Sequence, residues 1–328
     1  MKNIRFDSIL LFAFVVPFIM TYRIGPNETP YWLFGLIFLG LLSYITLDIT
    51  KFAENVVFRF KQIILWFLIF VVLGSAVFSA IVVRHRTHPV YMVHDIIIQQ
   101  EAAIYFLLHG RNPYNTNYFD TPLAQWHYSD KETNPALYHF VMEPFYLLFA
   151  IPFYLTSNRL FGFFDGRIPL FFLFFTMLFM AWKLVKDKSK RLLFLILLAF
   201  NPAMLGYTLE GRSDIFMFAF LFLGLYLLHK KKYLIAGLPI ALAFAVKQSA
   251  WPILPFYFAF VYFKSRNLSK TLKNFIPFVV TFSVITLPFF FWNTKAFLDS
   301  TLFYLSGNIA HGYPISGYGI GMILTQMG

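Results

Sequence analysis

The sequence predicts an all-α fold, a polytopic bundle of transmembrane helices, and three observations carry that reading. Of its 328 residues, 59% are hydrophobic, 21% aromatic and only 13% charged, whereas soluble globular domains sit near half apolar and a quarter charged. The apolar runs are long enough for helices of roughly 20 residues, and none shows the shorter alternating pattern of an outer-membrane barrel. The net charge of +12 resides mostly in Lys and Arg of short loops between those runs, where such residues orient helices. No separate basic domain exists to follow a phosphate backbone, so nucleic acid is not an expected partner. With no cysteine in the chain, disulfides, thiolate nucleophiles and Cys-ligated metals are excluded.

Taken in order, Lys2 and Arg5 place the N-terminus inside, and the run at 9–22 lacks a small-residue cleavage site, which makes it a first span rather than a signal peptide. Residues 31–47 return to a loop with Lys51, Arg59 and Lys61, and 63–83 goes outward. The longest polar segment, 84–134, then lies outside. Residues 136–155 are apolar enough to count as a span, but Glu143, Pro144 and Pro152 interrupt them. If they crossed, the basic clusters around Lys188, Lys231 and Lys270 would all fall outside, against the positive-inside rule. The stretch is therefore read as juxtamembrane or re-entrant on the outer side. Spans at 168–182, 192–209, 215–228, 233–246, 251–263 and 275–292 follow, and 317–328 begins a helix that the sequence does not finish.

No internal repeat or low-complexity linker divides the chain, so one membrane domain is expected over 1–328. Within it, 1–61 supplies two extra N-terminal spans. Residues 62–263 form a central module with the outer loop 84–135 and the juxtamembrane helix 136–155, and 264–328 hold C-terminal spans that stop short, as in a truncated chain.

Asp95 follows an outward helix and precedes a mostly apolar one, which puts a carboxylate at the water-facing mouth of the bundle. Its structural alternative is an N-cap on a helix over 96–108. The consecutive Gln99, Gln100 and Glu101 spread around that helix, as suits an interfacial helix packed on several sides. His94, with His85, His88, Arg84 and Arg86, crowds the same mouth, but Pro89 interrupts the segment and no second ligand pair supports a metal. No Asp-x-Asp pair occurs anywhere, so no cofactor is expected and a divalent metal is without support. Between Lys232 and Lys264 there is room for two crossings of only about 15 residues each, roughly 23 Å against a core of about 30 Å. Lys247 sits at that sunken turn, either as a snorkelling anchor or as a phosphate-binding ammonium facing a cavity. In the turn before it, Glu210 and Arg212 either pair with each other or serve as an acceptor-binding acid and a second phosphate contact. Asp214 is placed to cap the next helix.

In order and spacing these features resemble the GT-C superfamily of integral-membrane glycosyltransferases, nearest the branch of polyprenyl-phosphate-mannose-dependent α-mannosyltransferases. The resemblance covers about 66–263. It rests on Asp95 with the later Gly110, Asn112, Pro113 and Tyr114, the juxtamembrane stretch from Pro135, Asn201-Pro202, Gly211 to Asp214, and Gly237 leading to Lys247. The chain differs from the family pattern in its two extra helices before the acid, its single proline at 135 and its fewer C-terminal helices. The resemblance implies that Asp95 is the general base for an acceptor hydroxyl and that Lys247, with Arg212, meets the phosphate of a polyprenyl-phosphate hexose. The sugar, mannose by the same resemblance, would then move with inversion. Glu210, Asp214, His94 and Tyr114 become acceptor-binding or loop-positioning residues. The partners implied are the lipid-linked donor, a lipid or glycan acceptor and membrane lipids, with the active site on the outer side of the cell membrane. Two rival readings use no base: a transporter or flippase of lipid-linked sugars, which the lack of paired broken helices in matching halves disfavours, and a noncatalytic assembly partner, which leaves the cost of a sunken Lys247 unexplained.

Overall fold

The computed structural model describes residues 4–21, 30–127, 133–313 and 319–327; Lys2, Tyr22, Gly317, Gly328 and residues 128–132 of the outer loop lie outside them. Among the described residues the chain is helical without a strand. By length and composition four helices can each cross a membrane, and a bent pair makes a fifth. The all-α polytopic bundle is thus the observed fold. The chain forms two compact units, each discontinuous in sequence: Met1–Met92 with Phe174–Arg212, and Val93–Leu173 with Ser213–Gly328.

The first unit contains α1 (Phe6–Thr21), α2 (Tyr31–Ile49) and α3 (Glu54–Arg86). The C-terminal part of α6 (Arg167–Leu184), then α7 (Lys188–Phe200) and α8 (Pro202–Glu210), complete it. Helices α2 and α3 approach closely at Gly40, where a Cβ would stand 2.9 Å from Leu68 Cδ2. Helix α3 has 33 residues, about 50 Å at roughly 1.5 Å per residue, well beyond a hydrocarbon core of about 30 Å. Because it begins at Glu54 rather than near 63, Lys61 lies inside a helix and not in the expected inner loop. Its side chain is fully buried, with Nζ 2.9 Å from Asp7 Oδ2 and 2.7 Å from Asp48 Oδ1. The ammonium also donates to Ser8 Oγ at 2.8 Å, and the Tyr44 hydroxyl donates to Asp7 Oδ2 at 2.7 Å. One cation thereby ties α1, α2 and α3 together. The expected span 192–209 is two helices bent by 46° at Asn201-Pro202, since Pro202 lacks an N–H and pushes the residue before it out of helical geometry. Asn201 restarts the helix by accepting the Ala203 N–H at 3.0 Å.

The second unit contains α4 (Asp95–Leu108), α5 (Phe145–Phe161), the start of α6, α9 (Asp214–His229) and α10 (Tyr233–Phe244). Helices α11 (Leu254–Ser265), α12 (Leu268–Trp292) and α13 (Thr294–Leu298) follow. The stretch 136–155 is not one helix. A 3-10 turn at Pro135–Leu137, opened by Asn134 accepting the Ala136 N–H, gives way to irregular chain, and α5 starts only after Pro144. With 17 residues, α5 is shorter than the helices able to cross. The expected span 251–263 likewise begins as a 3-10 turn, Gln248–Ile253. Helix α10, with 12 residues and about 18 Å long, packs against α9 where Gly224 leaves no room beside Ile240. It packs against α12 where a Cβ on Gly237 would stand 3.0 Å from the Phe278 backbone nitrogen. The glycine that precedes Lys247 in the family-like pattern is therefore a point of close helix approach.

Candidate functional site

His94 is extended, with its ring turned toward the Ile96 N–H, so it holds the cap position, and Asp95 is the first helical residue of α4 rather than its N-cap. A carboxylate in the first turn is favoured by the helix dipole. Asp95 is 4% exposed, with Oδ1 2.6 Å from His94 Nδ1 and Oδ2 facing the Asn134 amide at 3.4 Å. The 2.6 Å contact requires a proton between the two groups. When Nδ1 carries it, that nitrogen has no lone pair for the Ile96 amide 3.3 Å away. The Trp126 ring lies 6.0 Å from the His94 ring, held by its indole N–H donating to the Val93 carbonyl at 2.9 Å.

Gln99 and Gln100, which the sequence leaves spread around an interfacial helix, are fully buried and hold the chain that follows Asn134. Gln99 donates to the carbonyls of Ala136 at 2.6 Å and His139 at 2.8 Å, and Gln100 to that of Tyr146 at 2.9 Å. The same segment is fastened to the end of α10, with the Glu143 and Phe145 amides donating to the Val246 and Ala245 carbonyls at 3.1 and 2.8 Å. This brings Glu143 beside the Lys247-Gln248 turn. Gln248 donates to the Val141 carbonyl at 2.8 Å and to Glu143 Oε1 at 3.2 Å.

Lys247 makes a 2.8 Å ion pair with Asp214, and both are partly exposed. Asp214 is thus the first residue of α9 and the counterion of the lysine, while Ser213 occupies the cap position without a side-chain bond. Glu143 is 1% exposed and its Oε2 has no hydrogen-bond partner. Burial pushes its carboxyl up to about 8, against a smaller downward pull from Gln248. Tyr146 is fully buried with an unpartnered hydroxyl. Burial raises its pKa well above the usual phenol range, and the carboxylates of Glu101, Asp95 and Asp214 raise it further. One tyrosine is therefore within electrostatic reach of both the Asp95 acid and the counterion of Lys247. Tyr304 also lies within reach of Asp95, its pKa raised by burial and then by that carboxylate.

Tyr114 is buried, its hydroxyl donating to the Met142 carbonyl at 2.9 Å and its ring packed edge-on against Phe297 at 4.8 Å. It braces the loop and offers no surface to an acceptor. Glu210 and Arg212 belong to the first unit and engage each other at 3.1 Å, with the guanidinium 4.0 Å over the Tyr207 ring. Sequence reasoning passed over Glu143 except as a helix breaker, and over Tyr146 and Asn134 altogether. For Glu143 the signal was available: an acid within an apolar run marks a functional position by default. No group of three His, Asp or Glu gathers among the described residues to hold a metal ion. No protein-family model, curated protein or solved structure matches the chain.

Proposed function

We propose that the protein is a membrane glycosyltransferase of GT-C type, transferring a hexose, mannose by the family resemblance, from a polyprenyl-phosphate donor to a hydroxyl on the outer face of the cell membrane. The observation that carries the reading is the buried Asp95–His94 pair on the same compact unit as the Lys247–Asp214 ion pair. Asp95 takes the proton of the acceptor hydroxyl as its oxygen attacks the anomeric carbon. The bond from that carbon to the phosphate oxygen breaks, and its electron pair leaves with the polyprenyl phosphate. His94, with Nδ1 2.6 Å from Oδ1, holds the carboxylate in position. Lys247 exchanges Asp214 for the donor phosphate, a charge-assisted contact that strengthens as negative charge builds on the leaving group. Glu143, held neutral by burial beside the Lys247-Gln248 turn, leaves the positive field of the lysine less diminished than an ionised acid would. The reaction needs no metal among its steps.

The test is transfer of labelled hexose from short-chain polyprenyl-phosphate sugars by purified protein in vesicles, with the anomeric configuration of the product read by NMR. An inverted glycoside is expected. A protein that moves the lipid-linked sugar across the bilayer without forming product would contradict the proposal and favour the transporter.

A further inference from the structure

The second unit holds a cavity of about 340 Å³ along α4, away from the ion pairs of the candidate active site, lined in part by Glu101, Tyr105, Asp120, Tyr154, Asn158 and Phe164. Asp95 and Glu101 share α4 but stand six residues apart, about 9 Å along the axis and on different faces. The volume lies in the range of roughly 300–1,000 Å³ used by small-molecule sites.

The chemistry of the lining selects a class of ligand. Among the described residues two carboxylates and no cation line the cavity, so a phosphate or any other anion is repelled, and an isoprenoid chain would have to desolvate both acids. Tyr154 meets Phe164 edge-on at 5.3 Å, and Tyr105 stands 49% exposed with its ring 4.1 Å from that of His109. Flat aromatic faces beside carboxylates and an amide suit a pyranose ring, whose C–H face packs on an arene while its hydroxyls donate to carboxylates. Among the described residues, neither the Asp120 carboxylate nor the hydroxyls of Tyr105 and Tyr154 have a hydrogen-bond partner within the chain. Glu101 accepts the Gly166 N–H at 3.1 Å through Oε1, and the Asn158 amide donates to the Tyr154 carbonyl at 2.9 Å, which fixes both side chains at the rim.

We propose that this cavity binds one uncharged pyranose ring, and, resting on the glycosyltransferase reading above, that the ring is part of the acceptor glycan held away from the donor phosphate. Polar groups with hydrogen-bonding capacity left over, converging on an aromatic wall with no positive charge, are what such a ring requires and what the donor phosphate would avoid.

Saturation-transfer NMR on the full chain in nanodiscs, with methyl α-mannopyranoside, methyl α-glucopyranoside and methyl α-galactopyranoside as probes and no donor present, tests the site. At least one sugar should receive saturation on its ring protons. Asp120→Ala and Tyr105→Ala, both exposed positions whose loss should leave thermal stability unchanged, should each weaken binding about tenfold. Presenting the same ring as a lipid headgroup in the nanodisc separates the sources: tighter binding there assigns a lipid-carried acceptor, and equal binding a free glycan. Absence of saturation for every sugar, binding unaltered in both variants, or displacement of the sugar by farnesol would overturn the proposal. Since the donor is absent, sugar binding can fail while transfer persists, or persist while transfer fails, so the two readings stand or fall separately.

Discussion

Lys61 in the first unit and Glu143 in the second are both ionisable side chains almost wholly removed from solvent, and they are treated in opposite ways. Around Lys61, Asp7, Asp48 and Ser8 all reach the ammonium within 2.7 to 2.9 Å, and Tyr44 completes the Asp7 carboxylate. Around Glu143, one oxygen accepts from Gln248 and the other has no partner; elsewhere in the same unit the buried Tyr146 hydroxyl has none either. A buried ammonium met by three oxygens of the chain within 2.9 Å fixes a structure. Buried polar groups left short of partners beside an ion pair are poised for something that arrives from outside. On the proposed reading, the first network serves packing and the second serves chemistry.

Breaking that contrast at Asp95 should give the largest effect. Asp95→Asn keeps the size of the side chain but cannot take the acceptor proton, so transfer should fall by about 10² to 10⁴ while donor binding is retained. Lys61→Met should act in the other sense. It leaves Asp7 buried without its cation and Asp48 with only the Arg5 guanidinium at 3.7 Å, a loss of about 3 to 5 kcal/mol in unfolding free energy, measured by thermal or denaturant unfolding. An unchanged stability would remove the structural role given to the network. Lys247→Met removes the proposed phosphate contact, worth about 1.5 to 3 kcal/mol, and should reduce donor use roughly ten- to hundred-fold. If donor titrations of this variant match wild type, Lys247 is only the partner of Asp214.

Glu143 sharpens the comparison through pH. Its carboxyl titrates near 8 in the folded chain against an ordinary value of 4.5, so between those limits the native state holds more protons than the unfolded state, and stability falls as pH rises through the window. Glu143→Gln keeps the acceptor for Gln248 and removes the titration. Its advantage over wild type in unfolding free energy should grow from pH 5 to about 8 and then level off, at no more than about 5 kcal/mol. Parallel pH profiles for the two proteins would show that Glu143 is charged in the fold. The topology is open to a smaller test. In a chain without cysteine, single cysteines at the exposed Ser189 and Ser269 should resist an impermeant thiol reagent added outside, while one at Asn117 should react.

The helical bundle was legible in the sequence because apolar length and basic loops report directly on a membrane environment; the Asn201-Pro202 bend was not read, although proline acts locally. Asp95 and the Lys247 turn could be singled out since charge beside apolar helices is costly wherever it occurs. Partners could not be read. Nothing local distinguishes Lys61 in a buried network from Lys51 in a loop, because the difference lies in Asp7 and Asp48, which only helix packing brings to it. The Asp214 pairing of Lys247, the capping position taken by His94 and the seat of Glu143 beside Gln248 depend in the same way on contacts between segments far apart in sequence. Gln99 and Gln100 mislead when read alone, since polarity points to an interface and their amide groups instead donate to the buried carbonyls of Ala136 and Tyr146.

The contrast between the two networks is tested most directly by measuring thermal stability and sugar transfer side by side for Asp95→Asn and Lys61→Met in the same vesicle preparation, with rates taken per folded molecule. Asp95→Asn should melt within a few degrees of wild type, a change of about 1 kcal/mol or less, and lose at least a hundred-fold in transfer. Lys61→Met should melt far lower and transfer normally while folded. Wild-type transfer by Asp95→Asn, or loss of transfer by folded Lys61→Met with its stability intact, would contradict the division of labour between the two units.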